Sequence, residues 1–74
     1  MKVVGMRKVD FKAENGDHVS GTRLYCEFEN EHITGVGTES FFISDRKLDM
    51  PVQVGTEIEV LYNKYGKVDR VIWA

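Results

Sequence analysis

Apolar and polar residues alternate along most of this chain in short runs separated by turn-forming residues, and nowhere do they recur at the spacing of a helix face. Valine, isoleucine, threonine and aromatic side chains fill the runs, so the chain reads as all-β. A first strand is expected over residues 2–13, where Val9 and Phe11 alternate with Lys8, Asp10 and Lys12. Gly5 interrupts it as a bulge or sharp bend would. Asn15-Gly16 then carries the hairpin signal of a type I′ turn, because both residues tolerate positive φ. Over residues 18–29 a second strand sets Leu24, Cys26 and Phe28 on one face and Arg23, Tyr25, Glu27 and Glu29 on the other. The first of these faces is the expected core, which leaves Arg23 and Tyr25 outside together.

Asn30-Glu31 marks the next turn, and a third strand is expected over residues 33–44, weakened or curved by Gly35 and Gly37. Phe41, Phe42 and Ile43 are consecutive, so at least one ring must face away from the core unless both faces are covered. Residues 45–55 read as the long connection, with Leu48, Met50, Pro51 and Val52 able to pack as a lid. The chain closes with a hairpin over residues 56–74 that turns through Asn63-Lys64-Tyr65-Gly66-Lys67. Five strands, bulge-forming glycines and a long third-to-fourth link match a small five-stranded OB-like Greek-key barrel with an extended C-terminal hairpin. An SH3-like barrel is the nearest competitor, but its long loops usually come earlier in the chain.

The length of 74 residues makes one domain, 1–74, whose small core leaves it marginally stable alone, so self-association would help. Nothing resembles a membrane span or the apolar core and cleavage site of a signal peptide, which points to the cytoplasm. A single cysteine, Cys26, agrees with a reducing compartment. The net charge of −2 and the pI near 5.6 count against a protein that holds nucleic acid by charge alone. The distribution is uneven, however. Lys2, Arg7, Lys8 and Lys12 face the single acid Asp10 near the start, and Lys64, Lys67 and Arg70 face Asp69 near the end. Glu27, Glu29, Glu31 and Glu39 make the middle acidic. If the two ends meet in space, they form one positive face.

Enzyme chemistry finds little support. His18 and His32 lie outside metal-ligand spacing, Cys26 sits on the expected core face, and no glycine-rich phosphate loop precedes a helix. Catalytic residues, metal and cofactor are therefore all expected to be absent. Among the rings, Trp73, Tyr62 and one of Phe41 or Phe42 are expected in the core or at a subunit interface. Tyr65 differs, because a turn tip normally contains residues that suit the backbone and offers an aromatic little core to enter. Placed between Lys64 and Gly66, it is suited to stacking on a base or packing on another chain. Tyr25 is the second candidate, since Arg23 beside it could bind a phosphate while the ring takes a base; the alternative is a cross-strand pair on an exposed face.

The run Tyr65-Gly66-Lys67-Val68-Asp69-Arg70, an aromatic before a tip glycine and an arginine on the returning strand, resembles the single-stranded-DNA-binding, helix-destabilising proteins of filamentous phages and related mobile elements. The resemblance implies a five-stranded barrel and a symmetric dimer. In it Tyr65 would stack on a base bound by the partner subunit, Gly66 would make the turn and Arg70 would contact a phosphate. The acidic balance and the shorter first turn depart from the family. The function expected is a non-enzymatic homodimer that binds single-stranded DNA in phage or mobile-element DNA replication. Arg7, Lys8, Lys12, Arg23, Lys64 and Arg70 would line the groove, and Tyr25 and Tyr65 would stack on bases. The rival is a protein-interaction module that uses the hairpin tip and the acidic middle as an adaptor; oligosaccharide recognition on the barrel face is a third option.

Overall fold

The computed structural model describes residues 1–48 and 50–74, every residue but Asp49, and contains five strands. These are β1 (Lys2–Lys12), β2 (His18–Phe28), β3 (Gly37–Ser44), β4 (Ile58–Tyr62) and β5 (Val68–Trp73). They form two antiparallel sheets, β1-β2-β3 and β4-β5. Among the described residues there is no helix, hence none long and apolar enough to cross a membrane.

Gly5 marks a real bulge. The register passes from Val3 opposite Cys26 to Gly5 opposite Tyr25, so Val4 has no partner on β2. The extra residue reverses which side chains face inward. Val3 is fully buried, whereas beyond the bulge it is Met6, Lys8, Asp10 and Lys12 that share the inner side, and Arg7, Val9 and Phe11 that point outward.

The core lies between the two sheets. Val3, Leu24, Cys26, Phe41 and Ile43 from the larger sheet meet Ile58 and Val71 from the hairpin, and Leu48, Met50 and Val52 of the long connection pack against them. Fully burying a side chain of this kind stabilises by about 1.5–3 kcal/mol, so this short list is the main source of stability. Phe41 takes the inward position and its neighbour Phe42 the outward one, as two consecutive strand residues must.

Two expectations are corrected and a third is narrowed. The β1–β2 turn is not type I′: Gly16 has φ +90°, but no residue other than glycine has positive φ. The Gly16 N–H donates to the Ala13 carbonyl (2.9 Å) and the Ala13 N–H to the Asp17 carbonyl (2.7 Å), which makes a type I turn closed by a left-handed glycine. The third strand starts at Gly37 rather than Ile33, because Asn30 nucleates a turn and Gly35, at φ +93°, breaks the extended chain. The Asn30 side chain accepts from the His32 N–H (2.8 Å) and its carbonyl from the Ile33 N–H (3.0 Å). Of the two places expected for Tyr62 and Trp73, core or subunit interface, their exposure of 50% and 57% removes the first.

The start of β1 also joins the hairpin. The Val3 N–H donates to the Thr56 carbonyl (2.9 Å), the Gly55 N–H to the Val3 carbonyl (2.8 Å) and the Ile58 N–H to the Met1 carbonyl (2.8 Å), around a bridge between Lys2 and Glu57. On the other side β3 and β5 come near one another, but among the described residues no hydrogen-bonded ladder joins them. β1 and β2 pair out to Lys12 and His18, well past the last β2–β3 pair at Gly21 and Ser44. The molecule is therefore long, 44 Å on its major axis, with a radius of gyration of 13.4 Å; a compact chain of this length would have about 11 Å.

Candidate nucleic-acid interface

Sheet register decides which candidate residues meet. Paired residues share a face, so the outward face of the larger sheet carries Gly5 with Tyr25 and Ser40, Arg7 with Arg23 and Phe42, Val9 with Gly21 and Ser44, and Phe11 with Val19. Arg7, Arg23 and Tyr25 are thus brought together. Arg7 and Arg23 stand directly opposite one another, an unfavourable placement for like charges. Among the described residues neither has a carboxylate within salt-bridge distance. One guanidinium nitrogen of Arg23 donates to the Ser40 hydroxyl (3.1 Å), which steers it toward β3.

The rings of this face lie against glycines. A Cβ added at Gly21 would stand 2.5 Å from the Cζ of Phe42, so the Phe42 ring occupies the space a side chain would need. Tyr25 stands beside Gly5 at ordinary contact distance, its Cδ2 3.5 Å from where a Cβ would be. Phe11 lies against Phe42, ring centroids 6.2 Å apart and tilted by 56°.

Lys8 and Lys12 lie on the opposite side of β1. Lys8 is tied to Asp45 at 3.0 Å, and Ser20 donates to the same carboxylate (2.9 Å). Those two hydrogen bonds hold the Asp45 carboxyl below its usual range. Lys12 is the cross-strand partner of His18, next to the exposed Asp10–His18 pair. Among the described residues the two ends of the chain meet around Lys2 and Glu57, and the candidate cations do not share one face.

Lys64, Tyr65 and Arg70 belong to the hairpin of the second sheet. Its tip repeats the geometry of the first turn: the Gly66 N–H donates to the Asn63 carbonyl (3.0 Å), the Asn63 N–H to the Lys67 carbonyl (2.8 Å), and Gly66 has φ +76°. Asn63 also fixes the tip with its side chain, whose oxygen accepts from the N–H groups of Tyr65 (2.9 Å) and Lys67 (3.1 Å). Tyr65 is 74% exposed, and the Lys64 ammonium stands 5.2 Å from its ring centroid. Arg70 lies opposite Leu61 on the side of the hairpin away from Val60 and Val71. At the base of the tip the Tyr62 hydroxyl donates to Glu39 (3.3 Å); partial burial and that carboxylate raise the phenol pKa. Burial likewise raises the Cys26 thiol.

Phe11 and Phe42 are the members of the outward face that the sequence pattern alone did not assign to the site. Arg7 and Phe11 share a side by plain alternation, the Gly5 bulge turns that side away from the core, and of the consecutive Phe41 and Phe42 one must face outward. No family model, curated protein or solved structure matches the chain.

Proposed function

We propose that the protein binds single-stranded DNA with little sequence preference, without enzymatic activity, as a cytoplasmic homodimer in phage or mobile-element DNA replication. The observation that carries this reading is the Arg7–Arg23 pair, facing each other without a carboxylate and set among Tyr25, Phe42 and Phe11. An anionic strand relieves the repulsion of the two guanidinia, and unpaired bases suit the rings. Lys64, Tyr65 and Arg70 add a second aromatic and cationic contact on the hairpin, and Lys8 and Lys12 add charge at the long β1–β2 end.

The barrel is read as OB-like. In support, β3-β2-β1 are neighbours in one sheet, β1 is bridged to Glu57 just before β4, β4 pairs with β5 and β5 lies near β3, which is the strand order of a five-stranded Greek key with its β3–β5 side unjoined. The dimer is supported by Tyr62 and Trp73, each about half exposed on the closing hairpin of a chain with a small core. The test is quenching of intrinsic Tyr and Trp fluorescence by oligo-dT at low and moderate salt, with duplex DNA as control. Quenching by the single strand that salt reverses and duplex does not reproduce is the expected result. No quenching at concentrations where the protein dimerises removes the reading and favours a protein-interaction module.

A further inference from the structure

We infer that the outward face of the β1-β2-β3 sheet is a site for an unstacked trinucleotide, in which Tyr25 and Phe42 take the two outer bases and Arg7 with Arg23 holds the phosphates between them. The inference rests on the single-strand reading and adds a site size and a required strand conformation. It comes from where the rings are laid. Tyr25 stands beside Gly5, in its own row of the sheet, and the tip of Phe42 lies over Gly21. Both Tyr25 and Gly21 are on β2, so the two platforms are separated by the rise of four strand residues, roughly 13 Å. Stacked bases lie only ~3.4 Å apart along a strand, so neighbours in an intact stack cannot occupy both platforms. A trinucleotide whose outer bases reach both must be drawn out, because three stacked bases span only about 7 Å, and its middle base is one that neither ring can take.

The charges sit where that drawn-out strand needs them. Arg7 and Arg23 start from the row between the platforms, and the Ser40 hydroxyl draws the Arg23 guanidinium toward β3 and the Tyr25 row. Each presents a planar donor fork suited to phosphate oxygens. Among the described residues the only acid in the outward rows is Glu27, at the far end beside Lys2 and Thr38. Duplex DNA cannot supply splayed bases, and a run of adenines must first be unstacked.

The test uses the whole chain and four trinucleotides: dT-dT-dT, and the same molecule made abasic at the first, second or third position, titrated by NMR. Expected is that the middle abasic trimer binds within about twofold of dT-dT-dT, while either end abasic trimer weakens roughly five- to hundredfold. Shifts on titration should centre on Tyr25, Phe42, Arg7 and Arg23. Tyr25→Leu and Phe42→Leu keep an apolar side chain at each glycine and should lose affinity by the same factors with unchanged folding. Oligo-dT should also bind better than oligo-dA. Equal losses from all three abasic positions, or dT-dT-dT binding that neither leucine variant weakens, would overturn the trinucleotide site. If a long oligo-dT binds and dT-dT-dT leaves the outward face unmoved, the site is wrong and single-strand binding stands. If no single strand binds, both fall.

Discussion

A methyl group added at Gly21 would meet both the Phe42 ring and the Ile43 carbonyl, and the carbonyl is backbone that cannot swing aside. Gly21→Ala should therefore destabilise by about 1–3 kcal/mol, the usual range for overpacking, read as a lower denaturant midpoint. Gly5→Ala is the control: its new Cβ would make only ordinary contacts with Tyr25 at 3.5 Å, so its effect should be much smaller. Asp45 gives a second residue-scale outcome. Its carboxyl is held low by the hydrogen bonds from Lys8 and Ser20. A depressed pKa means a contribution to stability that is present above the unfolded-chain value and lost as pH falls through the folded value. Asp45→Asn should thus be less stable than the parent at neutral pH, with the difference closing in acid, in denaturation curves taken across that range. These contacts were not legible in the sequence, since they depend on which residues of separate strands stand opposite one another.

The elements themselves were more legible than their faces. The alternation of Leu24 and Cys26 with Arg23 and Tyr25 placed the core side of β2 correctly, because no bulge interrupts that strand. On β1 the same pattern misleads: Val3 and Phe11 have the same parity, yet the bulge between Val3 and Gly5 sends them to opposite faces. Gly35 was legible as a weak point but not as the end of a strand, which required its positive φ. The closing hairpin was plain, and its tip makes a prediction. Gly66→Ala forces a side chain into the left-handed region and should cost about 1–2 kcal/mol, whereas Tyr65→Ala should leave the unfolding transition in place and weaken oligo-dT binding. Unchanged affinity in that variant would remove Tyr65 from the proposed contacts.

At the scale of the molecule, the open side between β3 and β5 and the exposed Tyr62 and Trp73 leave much apolar surface on a chain with little core to spare. Stability should rise with protein concentration if the dimer forms, and Tyr62→Ser with Trp73→Ser should abolish that dependence, as followed by sedimentation and thermal unfolding. A midpoint independent of concentration over a wide range would count against the dimer. That the chain is all-β with five strands was readable from its alternation and turn residues, while the length of the molecule was not. It follows from how far β1 and β2 continue past the end of β3.

Both hairpins end in the same turn, with a type I pair followed by a left-handed glycine at Gly16 and Gly66, and the same two backbone hydrogen bonds close each. The tips are therefore interchangeable fittings. Replacing Glu14 and Asn15 by Lys and Tyr would carry the aromatic tip to the other hairpin with neither strand register disturbed. The chemistry displayed at two short, solvent-exposed turns can thus change while the residues that hold the chain folded stay as they are.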